Sequence, residues 1–309
     1  MGRRARNTLF CFGFGLTAQA LARALAPADW RIIATTRSPE KAEGMAAQGI
    51  EPVIFTGDEP MDQAGRQCLA DATHILVSIP PGEDGDPVIR YHSMDIGVEQ
   101  GLAWLGYLST TAVYGDHQGG WVDEETAVRP STARGERRAV AERRWLTHFS
   151  AGRLPVHIFR LAGIYGPGRN QIESVRAGRA RRIVKEGQVF SRIHVDDIAQ
   201  VLKASMSQPN PGRIYNVCDD LAAPPQEVLI YAADLLHLPP PPEIPFEAAE
   251  LSPMARSFYA DNKRVRNDRI KDELGVRLIY PTYREGLESL LHAAPVPPPP
   301  PSPSGLRRP

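Results

Sequence analysis

The chain has 309 residues, with 36 Lys plus Arg balanced by 36 Asp plus Glu, and 42% apolar residues. That is room for one large domain or two modest ones with a sizeable core. Zero net charge argues against nucleic acid or an anionic membrane as the main partner, and no window is long and apolar enough to span a bilayer. The cysteines Cys11, Cys68 and Cys218 are scattered and odd in number, as expected of reduced thiols in a cytoplasmic protein without a disulfide frame or metal site. The N-terminal MGRRARN faintly imitates a secretion signal, but the apolar residues after it are few and are cut by Gly13 and Gly15.

Thr8 to Phe12 is a short apolar run, suited to a buried parallel strand. From Thr17 the pattern turns helical, with Ala18 and Ala22, and Leu21 and Leu25, four apart, and Pro27 stops it. Strand, glycine turn and helix in that order make the first half of a dinucleotide-binding βαβ unit, G-x-G-x-x-A at Gly13, Gly15 and Ala18. The first glycine permits the turn, the second lets backbone approach a pyrophosphate, and the small Ala18 lets the helix lie close to the strand. Gly13, Phe14, Gly15, Leu16 and Thr17 are therefore candidate cofactor-binding residues, placed where a helix N-terminus offers free N–H groups. A buried hairpin or a chance glycine pair is the alternative, and the flanking strand and helix speak against it.

Further strands are expected at Arg31 to Thr35, Glu51 to Phe55, Thr73 to Ile79, Trp104 to Ser109, Val156 to Phe159 and Ile214 to Val217. Helices are expected over SPEKAEGMAAQG, from about Pro87 to Gln100, from about Thr132 to Phe149 and from about Asp196 to Ser207. Alternating strands and helices predict an α/β chain: a Rossmann-type doubly wound parallel sheet with right-handed crossovers. After Val217 come a helix in PPQEVLIYAADLLHL, a stiff connector LPPPPEIP, a basic helix KRVRNDRIKDEL ended by Gly275, and a last helix PTYREGLESLLH. Residues 294–309, rich in proline, are expected to be a disordered tail.

The second strand ends in Thr35-Thr36-Arg37-Ser38, with no acid to bond the adenosine ribose. Arg37 and Ser38 suit a 2′-phosphate, so NADP(H) is expected ahead of NAD(H), which stays open. Ser78 and Pro80, after the fourth strand, are expected to flank the middle of the cofactor.

STTAVYG (Ser109 to Gly115) resembles the SSxxVYG stretch of the extended short-chain dehydrogenases/reductases, the NAD(P)-dependent epimerase/dehydratase family. FRLAGIYGPGR, IHVDDIA and IYNVCD are similar to its RPxNVYGPG, hVdDxA and yNvgd segments, in the same order. The resemblance, from about Thr8 to Leu291, implies a Rossmann domain over 7–217 and a small C-terminal substrate-side lobe over 218–293. It also implies an adenine-side role for Asp58, and that Thr110 is the hydroxyl that bonds the reacting oxygen, with Ser109 and Thr111 offering the same chemistry. Tyr114 and Tyr165 are expected to pack.

The chain departs from the family at the catalytic Tyr-x-x-x-Lys pair, where Arg134 and Arg138 stand instead. Arginine cannot be deprotonated in a protein, so Arg134 cannot serve as the base. Arg138 could still hold ribose or phosphate oxygens, and the pair would favour a negative substrate group. Gly163 replaces an asparagine and Phe190 the arginine that grips a nucleotide diphosphate, which weakens the expectation of nucleotide-sugar binding by the usual route. Arg169, Arg176, Arg179, Arg181, Arg182 and Arg192 could instead hold an anionic substrate or form an exposed basic face. His194 with Asp196 and Asp197 is a second acid/base candidate, in a stretch that is mostly structural in the family. Asp116 and His117 lie in a loop that could cover the site. The resemblance implies an oxidoreductase, or an epimerase/dehydratase working through transient oxidation, on a small hydroxylated or carbonyl substrate. The alternative is a non-catalytic dinucleotide sensor. A homodimer through the helices at Pro87 to Gln100 and Thr132 to Phe149 is also possible by that resemblance.

Overall fold

Asn7–Phe12 form the first strand, β1, and all but Asn7 are buried. Successive side chains go to opposite faces, so Leu9 and Cys11 enter one apolar cluster while Phe10 and Phe12 enter another. A strand covered on both faces reads as an unbroken apolar run. The computed structural model describes residues 7–25, 29–96 and 101–291. The stop at Pro27, the end of the helix expected to reach Gln100 and the proline-rich tail lie outside them.

After β1 the chain runs through α1 (Leu16–Ala24), β2 (Trp30–Thr36), α2 (Pro39–Ala46), β3 (Glu51–Ile54), α3 (Gln63–Ala70), β4 (His74–Val77), α4 (Pro87–His92) and β5 (Trp104–Thr110). The short β6 (Trp121–Val122) precedes α5 (Ala133–Ser150) and β7 (Val156–Leu161). Next come β8 (Gly163–Tyr165), α6 (Gln171–Arg176), β9 (Arg182–Val184), β10 (Arg192–His194), α7 (Val195–Ser207) and β11 (Ile214–Val217). The chain closes with α8 (Pro225–Leu235), β12 (Glu243–Pro245), α9 (Pro253–Phe258), β13 (Arg264–Val265), α10 (Asp268–Leu274) and α11 (Tyr283–Leu291). Among the described residues no helix is long and apolar enough to cross a membrane.

Seven strands form one sheet in the order β11-β7-β5-β4-β1-β2-β3, every neighbouring pair parallel. This is the expected doubly wound α/β sheet. Its winding reverses between β1 and β4, and open parallel sheets accept ligands in the crevice outside the strand ends at such a switch point. A smaller apolar cluster crosses the expected boundary at 217/218: Tyr165, Ile172 and Val175 pack with Val228, Ala232, Tyr283 and Leu287.

Three expectations change. KRVRNDRIKDEL is not one helix: Arg264 and Val265 form β13, paired in parallel with β6, and only Asp268–Leu274 is helical. Asn267 separates the two, its amide donating to Cys218 O at 2.8 Å, and Gly275 ends the helix in the left-handed region at φ 63°. LPPPPEIP is not merely a connector, because Glu243–Pro245 pairs in parallel with β9. The helix from Pro87 ends at His92, whose buried ring accepts from Met61 N at 3.2 Å and whose Nδ1 lies 2.8 Å from Asp95.

α5 is seated by a buried ion pair. Glu142 and Arg160 of β7 lie 2.8 Å apart, with side chains 4% and 3% exposed. A second Arg160 nitrogen donates to the Tyr114 hydroxyl at 2.9 Å, and that hydroxyl donates to Asn216 Oδ1 at 2.7 Å. Ser109 donates to Glu142 from β5. Burial opposes the Arg160 charge, but the Glu142 carboxylate overcomes it and holds the guanidinium above its ordinary value. Burial also pushes the Tyr114 hydroxyl up to about 12, so it stays a neutral link. Glu142→Ala leaves a buried unpaired cation and should cost about 3–5 kcal/mol in urea unfolding, whereas replacing both partners by apolar residues of matched volume should cost far less.

Candidate functional site

At the carboxyl end of β1 the chain must turn sharply under β4. Gly13 has φ 89°, and a Cβ there would lie 2.7 Å from Ile79 Cγ2 and 2.9 Å from Ser78 Oγ. Its N–H donates to Thr35 Oγ1 at 2.8 Å, and the Ser78 hydroxyl bonds to Phe12 O at 2.9 Å and Gly13 O at 3.1 Å. Ser78 and Thr35 thus clamp the turn from β4 and β2. Gly15 differs: a Cβ there would meet nothing within 4 Å. It caps α1 with no side-chain hydrogen bond, so the amides of the first turn are left for a ligand. Ala18 and Thr17 are buried, Leu16 and Phe14 partly so. The turn therefore fits an incoming phosphate: one glycine is locked by packing and the other opens onto an uncapped helix end.

Beyond β2, Arg37 is exposed. The Ser38 hydroxyl is already engaged, capping α2 by accepting from Lys41 N at 3.4 Å and donating to Glu40 at 3.0 Å. Asp58 and Pro80 are exposed, and the Asp58 carbonyl accepts from the Tyr91 hydroxyl.

β5 ends at Thr110, whose hydroxyl accepts from Ala112 N at 3.2 Å. That bond uses a lone pair and leaves the hydroxyl proton to donate to a substrate oxygen. Ser109 is not equivalent, since its hydroxyl is committed to Glu142. Arg138 reaches the same strand end, where one nitrogen donates to Leu108 O and, at 3.2 Å, to the Tyr107 hydroxyl. It is moored to β5, with its remaining N–H groups left for a cofactor or substrate oxygen. Arg134, one turn earlier, is exposed and stands 4.8 Å from the Phe258 ring centroid in α9. Burial, then the like charges of Arg138 and Arg169, lower its basicity.

Other candidates are occupied elsewhere. His194 Nδ1 accepts from Asp196 N at 3.2 Å, and its ring lies between Tyr165 and Tyr280. Asp197 accepts from Ile279 N at 2.6 Å and Tyr280 N at 3.1 Å, and burial pushes its carboxyl up to about 6. These two hold the chain before α11, a structural role like the one the family resemblance implies for this stretch. Of the arginines, Arg176 donates to Leu291 O, Arg181 to Glu250 O and Arg182 to Pro241 O. Arg192 is buried and donates to Phe190 O at 2.8 Å and Ala223 O at 3.0 Å. These four tie backbone segments together, Arg192 from a buried position. Phe190, in the place of the diphosphate-gripping arginine, packs edge-on against Tyr259 at 5.4 Å. The loop of Asp116 and His117 is pinned: Asp116 accepts from Asn262 N at 2.8 Å, and Lys263 donates to Gly115 O at 2.8 Å. Sequence reasoning missed Phe258, Tyr107 and Arg160, because their partners are distant along the chain; only the four-residue step from Arg138 to Glu142 pointed toward the last.

A doubly wound parallel sheet with a glycine turn at its switch point defines a dinucleotide-fold α/β protein. The model of the NAD dependent epimerase/dehydratase family matches residues 94–218. A solved structure of a functionally unknown conserved protein from Silicibacter pomeroyi DSS is 55% identical, with a TM-score of 0.82, over 92% of this chain and 98% of that one. Protein YeeZ of Escherichia coli (strain K12) is 27% identical over 238 residues, 74% of this chain and 84% of the relative. The dTDP-glucose 4,6-dehydratase of Bacillus anthracis str. Ames shares the fold, with a TM-score of 0.74 at 17% identity, over 93% of this chain and 96% of that one. Residues 94–218 are thus similar to the NAD dependent epimerase/dehydratase family, and the whole chain shares the fold of a dehydratase of that type.

Proposed function

We propose that the protein is an NADP(H)-binding enzyme of the oxidoreductase or epimerase/dehydratase type, acting on a small hydroxylated or carbonyl substrate. The observation that carries this reading is the uncapped N-terminus of α1 behind Gly15, where a pyrophosphate fits without displacing a side chain. The dehydratase that shares the fold was solved in complex with NAD, which supports a nicotinamide dinucleotide here. Bound there, the nicotinamide would supply or accept the hydride. Phe14, Leu16 and Thr17 carry the backbone of the phosphate turn, Ser78 and Pro80 flank the middle of the cofactor, and Asp58 stands on the adenine side. Arg37 is placed for a 2′-phosphate, with Ser38 fixing the start of α2 beside it. Thr110 donates its free proton to the substrate oxygen and so polarises it. Arg138 holds ribose or substrate oxygens from the same strand end.

A second reading, a dinucleotide sensor without turnover, is favoured by one observation: Arg134 stands where the family has its acid/base tyrosine and cannot cycle a proton.

Three experiments test the cofactor site, the cofactor preference and the choice between these readings. Gly15→Val should fold, because its side chain points into open space, and should lose NADPH binding measured by fluorescence; a folded variant with unchanged affinity would refute the site. Arg37→Asp should weaken NADPH by about 1.5–3 kcal/mol and improve NADH relative to it. Equal affinity of the wild type for both cofactors would remove the NADP(H) preference. Thr110→Val should keep NADPH binding and lose most turnover across a panel of aldehydes, ketones and sugar derivatives. Turnover that survives would discard Thr110, and no wild-type turnover, with a partner captured only in the NADPH-loaded state, would establish the sensor.

A further inference from the structure

Three guanidiniums stand on the substrate side of the sheet, and of these only Arg138 feels a carboxylate, that of Asp86. Arg134 and Arg138 stand four apart on α5, which puts them on one helix face. Arg169 comes from the turn after β8, closed by backbone bonds between Gly166 and Arg169. Among the described residues none of the three makes an ion pair, and only Arg138 has a side-chain hydrogen bond, to Leu108 O and Tyr107. Arg134 also lies in the first turn of α5, where the positive end of the helix opposes a cation. Partial burial, then the like charges of Arg138 and Arg169, lower its basicity. What holds it there is Phe258, 4.8 Å away on α9, beside an aromatic set in which Tyr259 lies 5.4 Å from Phe190 and 5.1 Å from Phe246. Mutual repulsion at a helix N-terminus is relieved when an anion enters.

We infer that Arg134 and Arg169, steadied by Phe258 and by the moored Arg138, form an anion site that binds a carboxylate or phosphoryl group of the substrate. This rests on the reading of the chain as a dinucleotide-dependent enzyme and names its substrate class: a hydroxy or carbonyl compound carrying one anionic group. The arginine that replaces the acid/base tyrosine is then a substrate ligand.

The test uses the full chain, with and without NADPH, at fixed ionic strength. Benzoate and phenyl phosphate are the probes, and benzamide is the neutral isostere of benzoate; binding is read by calorimetry. One of the two anions should bind at least about tenfold more tightly than benzamide, as expected for charge-assisted hydrogen bonds, and which one does so distinguishes a carboxylate from a phosphoryl substrate. The preference should vanish in Arg134→Gln/Arg169→Gln and persist in part in Arg134→Lys, while NADPH affinity on the same preparations stays unchanged. Both side chains are exposed, and circular dichroism confirms that the variants fold. Equal binding of the anions and benzamide to the wild type, or an anion preference that survives in the double variant, overturns the site. Anion preference without NADPH binding overturns the dinucleotide reading and leaves the anion site standing.

Discussion

The pairing of Glu142 with Arg160 is the constraint from which the rest of the site takes its position. Four elements meet at it: α5 supplies the carboxylate, β7 the guanidinium, β5 the Ser109 hydroxyl, and the turn after β5 the Tyr114 phenol that reaches β11 through Asn216. The Glu142 carboxylate, the Arg160 guanidinium and the Tyr114 hydroxyl all find partners in one another, which is what lets these charges sit in an apolar interior. An apolar substitute would permit several rotations and slides of α5 on the sheet, whereas a bidentate arginine and carboxylate satisfy one. Arg134, Arg138 and the end of β5 inherit that single arrangement.

The two glycines of the first turn divide the labour differently from what their spacing alone conveys. Gly13 is a packing residue, pressed between β2 and β4 and bonded on both sides. Gly15 serves only the space in front of it. α1 lies against α7 through Ala20, Val195 and Ala199, so the helix proposed to meet the phosphate is itself fixed from behind.

The parallel sheet was legible because burial on both faces writes continuous apolar runs: the strand at Ile214–Val217 agrees with the expectation at both ends, and β1 within one residue. α3 was missed although Asp62, which caps it by accepting from Gly65 N at 2.7 Å, left a signal; the helix is short and its polar face dominates. β13 was hidden inside a charged, helix-like run because its partner β6 lies far back in the chain and no local pattern encodes a distant pairing. The site divides the same way. The glycine turn and Thr110 stood out by position, since strand ends in such sheets face ligands. Arginine side chains were ambiguous, because sequence gives the charge but not whether it faces a carbonyl, as in Arg192, or solvent, as in Arg169.

The return of the chain from α9 to the loop after β5 has a consequence for how the protein is made. Asn262 O receives the amides of His117 and Gly119, and Lys263 reaches Gly115 across a sequence separation of 148 residues. At synthesis rates of about 5–20 residues per second, those partners emerge roughly 7–30 s after the loop they secure. The nascent chain thus carries all seven strands of the sheet before the loop after β5 gains its seam. A segment made late thus secures one made early, so loss of residues near Asn262 would strip order from a loop made far earlier.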